Sequence, residues 1–274
     1  MVQADPPPGR PVASPTPRLL GSIEGSIGWL VFNKPDRHNA LSRDMWEGLP
    51  PLLDALIADP TVRVIVLRGA GERAFISGAD ISEFETERAT PEAVDRYDVM
   101  VDDTLGALAR CERPTIAMIR GHCMGGGLAL AAVCDLRLAA DDSGFAIPAA
   151  KLGVGYRLSA VETIVALVGP SFAKEILFTA RRFDAAEALA MGLVNRVVPA
   201  GELGALVRHY AETIGANAPL TIDAAKKMIA ALGAPDGPDR TACDALIERC
   251  FHSADYVEGR RAFMEKRKPR FTGR

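Results

Sequence analysis

Disulfide chemistry finds little to work with in this chain. Its five cysteines, at 111, 123, 134, 243 and 250, are odd in number and include no CxxC pair, which excludes a complete disulfide framework and a cysteine-rich zinc site. Most sit in apolar surroundings, so buried reduced thiols and a cytoplasmic location are expected. Histidine is scarce, at four residues. With no His/Asp ligand cluster and no G-x-x-x-x-G-K-[ST] segment, metal and nucleoside-triphosphate chemistry are set aside. Charge of one sign is missing too: 32 Lys and Arg against 35 Asp and Glu leave a net charge of −3. Nucleic acid as the main partner wants a basic surface and is therefore not expected. No run approaches the roughly 18 apolar residues of a spanning helix, so no membrane partner is expected either. The proline-rich stretch Val2–Arg18 has no apolar h-region, which argues against a secretory signal. With almost nothing to bury, residues 1–18 are expected to form a disordered or extended tail.

What remains is ample for a core, with 274 residues of which 48% are hydrophobic, as one large domain or one with an appendage. Its organising stretch is Gly121–Asp135, GHCMGGGLALAAVCD. The apolar run Thr115–Ile119 before it reads as a buried strand. Gly125, Gly126 and Gly127 follow, and then Leu128–Val133, rich in helix formers. Strand, glycine turn and helix N-terminus together expose backbone N–H groups with no Cβ in the way. A second element matches it. Val62–Arg68 reads as a strand, and the small-residue loop Ser77-Gly78-Ala79 lies within Phe75–Ile81. Two such loops can each aim one N–H at a single oxygen, as an oxyanion hole requires. Each loop alone would be an ordinary tight connection.

Further strands are predicted at Ile27–Asn33 and Leu136–Ala139, alternating with helices up to about Val198, a pattern of α/β units with largely parallel pairing. Ser42 is placed to cap a helix carrying Met45, Trp46 and Leu49. Pro50-Pro51 should break or kink that helix near Leu49, with Leu52–Ile57 continuing it. The polar segment from Glu83 to Thr90 is a candidate flap, followed by a helix through Val94, Met100, Leu105 and Leu108. Beyond Pro199 only helices are expected, at 202–216, 221–232, 240–251 and 255–268.

The set NKPDRHNALS (33–42), FISGADI (75–81), the glycine stretch (121–135), FTARRFDAAEALAMGLVNRVV (178–198) and AFMEKRK (262–268) resembles the crotonase superfamily, the enoyl-CoA hydratase/isomerase family, from about Leu20 to the C-terminus. The resemblance implies a spiral of repeated ββα units over 19–198 and a helical trimerisation region over 199–274. It implies an acyl-CoA thioester as substrate, with CoA part of the substrate and no separate cofactor, in a homotrimer or a dimer of trimers. By position, the two oxyanion donors would be the N–H groups of Ala79 and Gly126. CoA contacts would come from Arg37, Ser77, Ala79, Asp80, Ile81, Phe263 and Lys266. Read from the sequence alone, Arg37 and His38 also fit a solvated loop, and Lys266 a solvated basic tail.

One departure stands out. Adding water across a double bond needs one group to activate the water and one to protonate carbon. Hydratases of the family use two glutamates, and the matching positions here are Ala129 and Ala149. A methyl group moves no proton. Reactions that need an enolate but little acid/base help stay open, decarboxylation of a malonyl-type thioester first among them. Tyr156 resembles a tyrosine of the family's methylmalonyl-CoA decarboxylases, although those carry a histidine where this chain has Ala79. Tyr156 also fits a packed core aromatic. Asp80, Glu83 and Glu162 are alternative acids, Asp80 being placed to brace its own loop and Glu162 to lie on a solvated helix face. Cys123 has no base beside it except His122, which makes it a poor nucleophile. A non-catalytic acyl-CoA-binding subunit is the reading from a different class.

Overall fold

The computed structural model describes residues 7–83, 89–233 and 237–274. Its strands in chain order are β1 (Arg10–Val12), β2 (Leu19–Glu24), β3 (Ile27–Phe32), β4 (Val64–Gly69), β5 (Ala74–Ile76), β6 (Thr115–Ile119), β7 (His122–Met124), β8 (Leu136–Ala140), β9 (Gly144–Ala146), β10 (Phe183–Asp184) and β11 (Arg196–Val198). Its α-helices are α1 (Arg43–Ile57), α2 (Pro91–Ala109), α3 (Gly126–Val133), α4 (Ala149–Leu152), α5 (Leu158–Thr179), α6 (Ala185–Ala190), α7 (Leu203–Ala216), α8 (Pro219–Leu232), α9 (Arg240–Phe251) and α10 (Ala254–Met264).

Seven strands form one sheet in the order β1-β2-β3-β4-β6-β8-β11, and four form a smaller one in the order β10-β9-β7-β5. From β3 to β11 the large sheet is parallel, with Ile65 opposite Thr115 and Ile116 opposite Leu136. In β4, Val64 to Leu67 are all fully buried, as a parallel strand covered on both faces requires. Ile65 and Leu67 enter the main core with α1 and α3, while Val64 and Val66 pack with Leu203, Val207 and Ala211 of α7. The topology repeats. β4 to β5, β6 to β7 and β8 to β9 each step from the large sheet to the small one, and a helix follows each step. This is the ββα spiral expected from the sequence.

Two expectations need correction. Residues 10–12 of the proline-rich tail are strand β1, with Arg10 opposite Ile23 and Val12 opposite Gly21. The hydroxyl of Ser22 also donates to the Pro8 carbonyl at 2.8 Å. An edge strand tolerates Pro11 because one of its sides needs no donor. Of the break or kink expected near Leu49, the break does not occur: α1 runs from Arg43 through Pro50 and Pro51 to Ile57. Pro50 leaves the Trp46 carbonyl without its helical partner, and the Thr104 hydroxyl of α2 donates to it at 3.0 Å. Pro51 would deprive Glu47, on the exposed side of the helix, where water serves. Most of the flap expected at 83–90, residues 84–88, lies outside the described residues.

Candidate active site

Two loops meet on one wall of a cavity. In the first, the Gly78 carbonyl accepts from Leu41 N–H and the Asp80 N–H donates to the Leu41 carbonyl, both at 2.8 Å. This is a parallel bridge between Leu41 and Ala79. The Gly78 carbonyl and the Ala79 N–H belong to one planar trans peptide and point in opposite directions. Holding that carbonyl on Leu41 therefore turns the Ala79 N–H away from Leu41, and Ala79 is a lining residue of the cavity. Gly78 has φ of 115°, a conformation that costs little only without a Cβ.

The second loop leads into α3. The Gly125 N–H donates to the Ala146 carbonyl at 2.9 Å. Gly126 opens the helix, so its own N–H has no intrahelical acceptor. Gly127 packs too closely for any side chain, since an added Cβ would stand 2.6 Å from the Ile76 carbonyl oxygen. That contact and the β5–β7 pairing, Ile76 beside Cys123, bring the loops together: a Cβ on Gly125 would lie 3.8 Å from Gly78 Cα. At the far end of α3 the buried Arg137 donates to the carbonyls of Cys134 and Leu193. A cation there complements the helix dipole whose positive end is at Gly126.

The cavity encloses about 550 Å³ between these loops, residues 36–38, Ile147, Pro148, Ala149, Leu152, Val154 and Tyr156. Asp80, one of two carboxylate residues in that lining, is 9% exposed. It pairs with the Lys34 ammonium and accepts from the Ser82 N–H and hydroxyl. Burial acts to raise its pKa, but the hydrogen bonds from Lys34 and Ser82 outweigh burial and bring it down to about 2. It is a braced anion, not a proton donor. The other, Asp36, is exposed on the 3-10 turn Pro35–Arg37. Tyr156 packs against the core, and its hydroxyl is shut off from solvent with no hydrogen-bond partner among the described residues. Burial, with a smaller push from Cys123, drives the phenol well above its ordinary pKa, so it stays protonated. Its segment is anchored by Arg157, whose Nε lies 2.8 Å from the Asp102 carboxylate on α2.

Comparison with known proteins agrees with this architecture. The family model of enoyl-CoA hydratase/isomerase matches residues 22–274. The chain belongs to that family. It is 33% identical over 246 residues to the short-chain-enoyl-CoA hydratase of Clostridium acetobutylicum, covering 89% of this chain and 94% of that one. A solved enoyl-CoA hydratase/carnitine racemase of Magnetospirillum magneticum is 40% identical and superposes with a TM-score of 0.89, covering 95% of this chain and 97% of that one. A second structure, an enoyl-CoA hydratase/isomerase family protein of Hyphomonas neptunium, gives 38% identity and a TM-score of 0.91, over 96% and 100% of the two chains.

Within this enoyl-CoA hydratase/isomerase fold, Arg37, Ser77, Ala79, Asp80, Ile81, Gly126 and Tyr156 all line the one cavity. Phe263 and Lys266 do not. Phe263, at the end of α10, is 82% exposed and borders a separate apolar cavity among α8, α9 and α10. Ala149 stands in the active-cavity wall, whereas Ala129 is buried in the core beside it. Glu162 faces solvent on α5. Glu83 accepts from the Arg43 N–H at 2.9 Å and so braces the start of α1. Cys123 is fully buried, and burial raises its thiol far above the ordinary range. Sequence reasoning missed Ile147, Leu152, Val154 and Asp36. The first three continue the apolar run on either side of Pro148, and Asp36 follows the strand-ending Lys34-Pro35. Among the described residues no helix is long and apolar enough to cross a membrane.

Proposed function

We propose that the chain binds an acyl-CoA thioester with its carbonyl oxygen between the N–H groups of Ala79 and Gly126, and stabilises the enolate formed there. One observation carries the reading. Among the described residues neither N–H donates a hydrogen bond, and both sit on touching loops in one cavity wall. Removing one such donor typically costs about 2.7–4 kcal/mol of transition-state stabilisation, so keeping both matters. Ordinary hydration is disfavoured because Ala129 and Ala149 offer no proton-transfer group.

Tyr156 favours decarboxylation of a malonyl-type thioester as the reaction. Its hydroxyl is held protonated and, among the described residues, unpartnered, which suits a donor and not a base; because the hydroxyl is shut off from the open cavity, a shift of its segment must bring it to the substrate. The bond to the carboxylate breaks, CO2 leaves, and the electron pair is held as the thioester enolate. A proton from Tyr156 or from water then completes the α-carbon. The surrounding wall of Ile147, Ala149, Leu152 and Val154 favours loss of a charged carboxylate as neutral gas.

The test sets branched malonyl-CoA against crotonyl-CoA, each with the purified protein. Decarboxylation should be measurable, should be lost in Gly126→Pro, and should fall by about 10²-fold in Tyr156→Phe, the lower range for positioned proton donors. Hydration of crotonyl-CoA at rates typical of two-glutamate enzymes would sink this reading. Tight CoA binding without turnover on a broad thioester panel would favour a non-catalytic subunit instead. We further take the working unit to be a homotrimer or a dimer of trimers, in which Phe263 and Lys266 reach a neighbour's CoA. The exposure of Phe263 and Met264, at 82% and 81%, supports this.

A further inference from the structure

Between the end of β5 at Ile76 and the 3-10 turn Ile81–Glu83, the Ala79 loop is held by its bridge to Leu41 and, one residue before Gly78, by the Ser77 N–H, which donates to the His38 carbonyl at 3.1 Å. Its pivot is Gly78, the residue type with least resistance to a peptide flip. Some restraint outside the loop must therefore hold the Ala79 N–H in one direction. The segment 34–41 supplies it. Asn39 is fully buried, and its side chain donates to the carbonyls of Ala70 at 3.0 Å and Ala74 at 2.8 Å. The same side chain accepts from the Lys34 N–H at 3.0 Å, and the Asn39 N–H donates to the Lys34 carbonyl at 2.9 Å. Lys34 is thus fixed at its backbone. Its ammonium then reaches across to the Asp80 carboxylate, whose other oxygen holds Ser82.

We infer that Lys34 is a positioning residue for the Ala79 amide: with Asp80 it closes a rung between segments 34–41 and 78–82, so that the two backbone bonds at Leu41 cannot loosen and the Ala79 N–H keeps its aim. The inference rests on the oxyanion reading above. The two side chains are only 14% and 10% exposed. That places the pair apart from surface ion pairs of negligible worth, and its loss would strand a desolvated carboxylate on the loop itself. Lys34 does not line the cavity, so any effect on bound thioester must pass through Asp80.

Infrared difference spectroscopy of butyryl-CoA, isotope-labelled at the thioester carbonyl and bound to the full chain, reads the aim directly. Both amides polarise that carbonyl and lower its stretching frequency. In Lys34→Met the downshift should shrink by about half, as expected for the loss of one of two donors, while the Kd for CoA changes little. Lys34→Arg should restore it. Asp80→Asn keeps the acceptor for Ser82 but removes the ion pair, and should also shrink the downshift. It serves as the deciding variant if Lys34→Met does not fold. A full downshift in both Lys34→Met and Asp80→Asn, with wild type shifted, overturns the positioning role alone. A wild type that binds the probe without any shift overturns the oxyanion reading, and the positioning role falls with it.

Discussion

Asp80 and Tyr156 share a cavity wall and have opposite protonation behaviour, each following from its partners. Asp80 has Lys34 and Ser82 and is held at about 2 against the ordinary 3.8. A folded value below the unfolded one means that its contribution is present above about pH 4 and is lost as pH falls towards 2. The difference corresponds to about 2 kcal/mol. Urea unfolding of wild type and Asp80→Asn should therefore show a stability gap at pH 6 that narrows by about that amount towards pH 2. Among the described residues Tyr156 has no hydrogen-bond partner, and burial pushes it up from 10. In a spectrophotometric titration Tyr156 should stay un-ionised well above pH 10, so Tyr156→Phe should remove one late-titrating phenol. Of these two behaviours, the bracing of Asp80 was legible in the sequence, because a short acid beside Ser82 bonds its own loop. Lys34 as its partner was not. The two residues are far apart in the chain, and the Asn39 fold-back together with the Leu41–Ala79 bridge brings them together.

Elements with a long, strong pattern were readable to within a few residues. Thr115–Ile119 is a strand over the range its apolar run marks, and the helices α7 to α10 stand within a few residues of the stretches expected beyond Pro199. Short elements were not readable. β5, β7 and β9 are three residues each, too brief for alternation to show, yet they carry both amide loops. The proline pair in α1 misled for a physical reason: a lost helical bond is costly only when the freed carbonyl finds no other donor. Thr104 is that donor, sharing its hydroxyl between the Trp46 and Met100 carbonyls. Thr104→Val, similar in shape, should lower stability by about 1–3 kcal/mol, the cost of a buried unsatisfied acceptor. Equilibrium urea denaturation would measure it.

At the scale of the whole molecule, the α/β architecture and the place of the helical C-terminal region were visible in the order of motifs. The closing of β1 onto β2 was hidden by prolines that an edge strand can carry. Helices α8 to α10 leave Ile229, Leu232, Val257 and Phe263 at least half exposed, apolar area that a neighbouring subunit would cover in the proposed assembly. Light scattering coupled to size exclusion should return a mass that is a multiple of three of the 29.2 kDa chain; a stable monomer at micromolar concentration would remove the assembly proposal.

The short parallel strands β5, β7 and β9 carry the two loops whose amides are proposed to act together, while position 149 belongs to a four-residue helix beyond that sheet. Of the two positions where a proton-transfer group would stand, 149 is thus on a separate piece of backbone, whereas 129 lies on α3 itself. On the proposed reading, the side chain at 149 can be exchanged without rebuilding the amide pair. In the present chain that side chain is a methyl group, which leaves the proposed grip on the thioester with no proton carrier at that place.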